Sequence, residues 1–345
     1  MPASFKMFLK ILFRKLNYLF LSLILLVGGL YFLMISMPGK SPKTFDENSL
    51  TMTKEFEQTR GNLAYFVNTL SLTIGERNSS RYKTLQETAE WIQKNFKKMG
   101  YPIKRQVYEV NSKKYENLEV QILGSEKENV IVGAHYDSAV GSLGADDNAT
   151  GVAALLNLAQ EFRRKQTLCT LRFVAFVNEE PPFFDTENMG SLVYAQKAWL
   201  NDEKIKAMVS LEGLGYFSNE KGSQKYPKPL SFFYPSTGNF IAFVGNISSR
   251  GLVHNAISHF RKISVLPSQG IAAFESIPGV NMSDHASFWK HGYEAIMITD
   301  TAFYRNPYYH SRQDKPDKID FLRFTRLVLD LEKVIERICG IRKQA

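Results

Sequence analysis

The chain has 345 residues, of which 44% are hydrophobic and 22% charged, the balance of an ordinary folded globule of one large domain or two small ones. Its formal net charge is +9, but the Lys and Arg are scattered and often lie beside Glu or Asp, so they read as a solvated basic surface. No zinc-finger, helix-turn-helix or RNA-recognition signature is present, and a nucleic-acid partner is not expected.

In chain order, residues 1–15 form a basic N-terminus with Lys6, Lys10, Arg14 and Lys15. Residues 16–36, LNYLFLSLILLVGGLYFLMIS, carry no charge and are long enough to span a bilayer. The positive-inside rule leaves the basic end in the cytoplasm and exports the rest. A cleaved signal peptide would have a shorter apolar run and small residues at its cleavage site, and MISMPG is a poor one; an uncleaved anchor is the better reading. Residues 37–55 are polar with prolines and read as a linker, leaving 56–345 as one exported domain.

TLQETAEWIQKNFKKMGY has apolar positions at helical spacing and stops at Gly100. VYEV, NLEVQILG and NVIVGAH follow as strands, the last nearly continuous, as expected of a strand buried on both faces. TGVAALLNLAQEFRRK reads as a helix, TLRFVAFV, AMVSLEG and YEAIMITD as buried strands, and IDFLRFTRLVLDLEKVIERICG as a long final helix. Strand and helix alternate. The fold expected is a three-layer α/β/α domain with a mostly parallel central sheet covered by helices on both faces. Residues 213–284 are less regular and read as an insertion near the site. Within them SFFYPSTGNFIAFVGN suggests a strand and SRGLVHNAISHFRK a helix. Cys169 and Cys339 match no metal spacing, and two buried small side chains are the plainer reading, although an exported domain permits a disulfide.

In open α/β sheets function gathers beyond the carboxyl ends of the strands. Here NVIVGAHYD ends in His135 and Asp137, LRFVAFVNEE in Glu179 and Glu180, and AMVSLEG in Glu212. The loop after YEAIMITD carries His310, and the ADDN loop carries Asp146 and Asp147. One such residue is usually a cap; four converging segments are hard to read as surface decoration. Imidazole with carboxylate, and no thiolate, suits Zn²⁺, Co²⁺ or Mn²⁺. More ligands than one tetrahedral zinc needs suggests two ions bridged by a carboxylate. Neighbouring Glu179 and Glu180 cannot both point the same way, so one can bind metal while the other acts as base.

GAHYDS, GADDNATG, NEE, SLEG, SDHASF and NPYYHSRQD, in this order, resemble the M28 zinc peptidases, the family of bacterial leucyl-type aminopeptidases, from about residue 57 onward. The resemblance implies two zinc ions and peptide substrates. It makes His135 and Glu212 ligands of the first ion, Glu180 and His310 ligands of the second, and Asp147 the bridge. It makes Glu179 the general base, places Asp137 behind His135 to orient the imidazole, and implies a cis peptide after Asp147. Glu212 stands where the best-known secreted members have Asp. Val280 stands about where those members have an oxyanion-stabilising Tyr, and Tyr304, Tyr308 and Tyr309 remain open for that task. Asp284 and His285 read as a structural pair and Asp314 as a supporting group or cap. Asp146 reads as a backbone acceptor, His254, His259 and His291 as ordinary residues, and the Asn148 glycosylation motif as coincidence. AFYRNPYY either lines a side-chain pocket or packs its own loop. Two other readings compete: a single-zinc glutaminyl-peptide cyclotransferase on the same fold, and a relative that has lost catalysis.

Overall fold

The computed structural model describes residues 3–342. The chain divides into two compact units after Ser36. The first is one helix, α1 (Ala3–Met34). Its stretch Lys10–Met34 is long and apolar enough to cross a membrane, with a mean hydropathy of 2.1, and its side chains are exposed almost throughout, Leu25 at 76% and Phe32 at 67%. It ends two residues before the expected boundary.

The second unit starts at Met37. Its helices are α2 (Lys54–Asn68), α3 (Tyr82–Lys98), α4 (Gly151–Phe162), α5 (Gly190–Leu200), α6 (Arg250–Ile263), α7 (His285–Trp289) and α8 (Phe321–Cys339). Its strands are β1 (Lys104–Val110), β2 (Lys113–Ile122), β3 (Asn129–His135), β4 (Thr170–Phe176), β5 (Ile205–Glu212), β6 (Ile241–Asn246), β7 (Ser268–Ala273) and β8 (Ala295–Thr299). They form one sheet in the order β1-β2-β4-β3-β5-β8-β6-β7. The expected layering is present. The sheet is parallel at its centre, β4-β3-β5-β8, while β1, β2 and the β6–β7 pair meet their inner neighbours antiparallel.

Alternation along the strands explains the two layers. Val130, Val132 and Ala134 of β3, with Leu171, Phe173 and Ala175 of β4, face the large core with α4, α6 and α8. On the other face Phe176 of β4 packs against Tyr194 of α5 and Phe288 of α7. Gly133 lies on that second face, where an added Cβ would come 2.3 Å from the Phe176 ring.

Residues 213–284 differ from expectation. The first and last parts, 213–240 and 274–284, are largely irregular, but between them β6 and β7, joined by α6, extend the same sheet, and β7 was missed because SQGIAA is short and weakly apolar. The supposed linker is tied down from its first residue. Arg261 of α6 donates to the carbonyls of Pro38 and Gly39 at 2.9 and 3.2 Å, and Ser268 N donates to Ser41 at 2.8 Å. The cysteines are buried, as read, but they are also paired. A Cys169–Cys339 disulfide joins the approach to β4 to the end of α8 across 170 residues, with Cα atoms 5.1 Å apart.

Candidate metal centre and active site

The carboxyl ends of the parallel strands carry the polar residues the sequence brought forward. His135 is the last residue of β3 and is buried; its Nε2 lies 3.1 Å from Glu212 Oε2, at the end of β5, and 3.3 Å from Asp147 Oδ1. Nε2 of His310, on the loop after β8, lies 3.1 Å from both Asp147 Oδ2 and Glu180 Oε2. Asp147 therefore turns one oxygen to each of two donor sets, His135–Asp147–Glu212 and Asp147–Glu180–His310, and each set is close enough to hold one ion. Glu179 Oε2 stands 3.9 Å from His135 Nε2 and joins neither set. The Asp147–Asn148 peptide is cis.

The site buries more carboxylate than its two imidazoles balance. Burial pushes His135 and His310 toward neutrality, but the facing carboxylates outweigh it, raising His135 well above its ordinary value and His310 to about 10. Burial also lifts Glu179 well above the carboxylate range and Glu180 to about 7. Burial opposes ionisation of Asp147 too, yet the two imidazoles hold it below its usual value. Asp147 Oδ2, Glu180 Oε1 and both His135 ring nitrogens are buried without a well-formed hydrogen bond. Orphaned buried donors of this kind fit divalent cations of the zinc type.

The sequence profile of peptidase family M28 matches residues 117–329. The chain belongs to this family. It is 36% identical over 273 residues to the uncharacterized protein YfbL of Escherichia coli (strain K12), covering 75% of this chain and 82% of that protein. To a probable leucine aminopeptidase of Arthroderma otae it is 26% identical over 305 residues, 83% and 74% of the two chains. The fold is that of BSAP, a zinc aminopeptidase from Bacillus subtilis, at a TM-score of 0.65 and 13% identity over 83% of this chain and 95% of that one. A glutaminyl cyclase from Fimbriiglobus ruber has the same fold at a TM-score of 0.61, with 20% identity over 89% of this chain and all of that one, 100%.

Around the donor sets this M28 chain builds a supporting shell that sequence reading saw only in part. Asp137 Oδ1 lies 3.5 Å from His135 Nδ1. The same carboxylate accepts the backbone N–H groups of Glu179 and Glu180 at 3.2 and 3.0 Å, so it also clamps the β4 turn. Asp314, placed as a supporting group, accepts the N–H groups of Asp146 and Asp147 at 2.9 and 3.1 Å. Asp146 accepts from Gly215 N as expected, and from the Asn306 amide. Asp146 also pairs with Asp300, which follows β8. Burial raises both carboxyls, Asp300 well above its ordinary range. Asn148 is fully buried and donates to Leu211 O at 2.8 Å, which leaves no room for a glycan. Ser283 donates to Glu212 Oε2 at 2.8 Å, and His285 meets Val280 O at 2.7 Å, so the SDH segment supports the centre. His254 and His259 lie on α6 and His291 just after α7, outside both sets.

Arg77 was missed altogether. It is fully buried and donates to the carbonyls of Tyr136, Leu143 and Gly144 at 2.8, 2.9 and 2.8 Å, cradling the loop that delivers Asp147. Burial lowers its guanidinium to about 10, against the pull of Asp314, Asp137, Asp147 and Glu180. Gly144, at φ +59, passes so close that an added Cβ would lie 2.6 Å from Asp147 O.

Asp147, Glu179 and Glu212 form one end of an open cleft whose other walls are mostly apolar and aromatic, including Phe243, Ile271, Val280, Met297 and Tyr309. Of the three tyrosines left open, Tyr304 donates to Pro278 O and Tyr308 packs on Tyr216. Tyr309 stacks on His310, with ring centroids 3.8 Å apart. Its phenol is raised first by burial and then by Asp147, Glu180, Glu179 and Glu212, and it lines the same cleft as Asp147, Glu179 and Glu212. AFYRNPYY thus lines the pocket through Phe303, Tyr304 and Tyr309.

Proposed function

We propose that this M28 chain is a di-zinc aminopeptidase whose N-terminal helix is an uncleaved membrane anchor, with the basic end cytoplasmic and the second unit exported. The observation that carries the reading is Asp147, whose two oxygens face two separate donor sets. His135, Asp147 and Glu212 would hold one ion, and Asp147, Glu180 and His310 the other; Zn²⁺ suits the donors best and Co²⁺ or Mn²⁺ are acceptable. Such ions polarise a peptide carbonyl and bring the pKa of water toward neutrality.

The remaining work falls to the chain. Glu179, outside both sets, takes a proton from the attacking water and returns it to the leaving amine. Its burial supports this role, because a carboxyl raised above its ordinary range is a stronger base. Asp137 fixes the imidazole of His135 and the backbone beneath Glu179 together. Tyr309 supplies an O–H toward charge developing on the carbonyl oxygen, the task for which Val280 has no group. The apolar cleft receives the side chain of the N-terminal residue and favours large hydrophobic ones.

The test is bound metal per chain together with release of p-nitroaniline from an aminoacyl panel. Two zincs and chelator-sensitive release are expected. Glu179→Gln should lower turnover by about 10²–10⁴ while both ions stay bound; substantial activity in that variant would remove Glu179 from its role. The likeness to a glutaminyl cyclase favours a second reading, in which one ion sits on Asp147–Glu180–His310 and N-terminal Gln is cyclised. One metal per chain, no p-nitroaniline and pyroglutamate formation would select it. Full metal with neither activity would select the inactive relative.

A further inference from the structure

The cleft beside the metal centre runs farther than one amino-acid side chain needs. Its floor is one face of β8, β6 and β7, and strand register fixes the layout. Glu212 lies opposite Thr299, Thr299 opposite Ala242, and Ala242 opposite Gln269. These four make one row from the His135 set to the edge of the sheet, and all of them line the cleft. The row crosses three interstrand steps, about 14 Å. Met297, Val244 and Ile271 are matched in the same way and make a second row that is wholly apolar. Helix α6 covers the opposite face of these strands, where Val253 and Ile257 close on Gly245 and Gly270. On the cleft side the walls include Tyr226, Leu230 and Tyr234 instead. A leucine or phenylalanine side chain entering at the metal end passes over β8 and β6 and stops short of β7.

Most polar side chains along this path are bound to the protein itself. Gln224 accepts from Arg305 Nε at 2.8 Å and donates to Lys225 O and Thr301 Oγ1 at 3.0 and 2.9 Å. The Tyr226, Tyr234 and Tyr304 hydroxyls donate to the carbonyls of Pro235, Gly270 and Pro278, and Thr299 Oγ1 accepts from Thr301 N. The Gln269 amide stands at the β7 end, past the apolar stretch. A peptide laid along the rows would bury its N–H and C=O groups against hydrocarbon, which is costly; an aliphatic chain has no such groups to pair. We propose that the cleft takes a long unbranched aliphatic chain, and that this centre also hydrolyses amides whose acyl part is such a chain. In that reaction the water oxygen bonds to the acyl carbon, the C–N bond breaks, and a water proton goes to the nitrogen. The products are a long-chain carboxylate and a free amine. This rests on the hydrolytic metal centre proposed above, but not on the release of amino acids.

The test uses the full zinc-loaded chain in digitonin, a steroidal detergent without an alkyl chain. The p-nitroanilides of straight-chain carboxylic acids, from acetic to hexadecanoic, are compared with leucine p-nitroanilide. Across the acyl series kcat/KM should rise about two- to fourfold for each added methylene, and level off at about ten carbons, where the chain reaches β7. Ala242→Phe fills the middle of the first row and Gln269→Phe its end, so the rise should stop at shorter chains in both, and soonest in Ala242→Phe. Partition into micelles is common to all three proteins and cannot move that break. Gln269→Phe, at the sheet edge, gives the answer by itself should Ala242→Phe fail to fold. Cleavage of leucine p-nitroanilide with a flat acyl series, or a break that stays in place in the folded variants, overturns the long-chain site and leaves the aminopeptidase standing. Cleavage of the acyl series alone upholds the site and replaces the aminopeptidase reading. No cleavage of any amide by protein that holds its zinc overturns the hydrolytic reading and this inference with it.

Discussion

The two donor sets share Asp147 but are made of unlike material. The His135 set stands on the ends of β3 and β5, in the middle of the parallel sheet, and the His135 side chain is 1% exposed. The His310 set leans on a loop: His310 sits at φ +54, in the left-handed region, and its side chain is 35% exposed. One half of the centre is fixed by strand register; the other depends on a turn whose backbone carries local strain. The strand-built half should therefore hold its ion when the loop-built half is damaged, and only Asp147 should govern both.

The largest effect that can break this comparison is on the shared residue. Asp147→Asn is expected to remove the bridge, drop metal content below one ion per chain and abolish turnover. His310→Ala should also stop turnover but keep one ion per chain, on His135, Asp147 and Glu212. Metal content by mass spectrometry after dialysis at fixed free zinc checks both. If His310→Ala loses both ions the halves are not separable; if it keeps both, His310 is not a ligand.

The next effect is on the support beneath the bridge. Arg77 holds the carbonyls of Tyr136, Leu143 and Gly144 on one side of Asp147, as Asp314 holds the Asp146 and Asp147 amides on the other. Arg77→Met leaves those carbonyls unpaired and removes the buried cation that offsets the carboxylates. A stability loss of about 3–5 kcal/mol is expected in urea unfolding, with metal loss from both sets, because the loop carries the shared residue. A change within error would mean the loop holds its shape without the guanidinium.

The same contrast explains what could be read in advance. The strand-built half was legible because a buried strand writes itself as a continuous apolar run, and the polar residue after the run marks the site: VIVGAH gives His135 and SLEG gives Glu212, and by the same rule FVNEE gives Glu179 and, for the other set, Glu180. Asp300 obeyed that rule at the end of YEAIMITD and was passed over, although it pairs with Asp146. Arg77 had no such mark. A buried arginine looks like a surface one in sequence, and its partners lie about sixty positions away. The second job of Asp137, the choice among three tyrosines and the pairing of cysteines 170 residues apart are long-range facts of the same kind. Periodicity reports which face a residue takes, not what meets it there.

The smallest effect is that of pH on the cation-free protein, and its sign follows from the two sets. His310 is raised in the fold from an ordinary 6.5 to about 10, so its ion pairs stabilise fully below pH 6.5 and lose that contribution as pH climbs toward 10. Glu180 is raised from 4.5 to about 7, so keeping it buried becomes a growing cost as pH rises through that range. Both shifts run the same way, and the metal-free protein should lose stability between about pH 5 and 9. A cation bound in their place displaces the protons and reverses the trend, because ligands already deprotonated cost nothing to bind. The rise in melting temperature on adding zinc should therefore grow with pH across that window, and His310→Ala should flatten the growth while leaving the part owed to the buried His135 set. A zinc-induced rise that is the same at both ends of the window would mean that the carboxylates of the loop-built half already find another counter-charge.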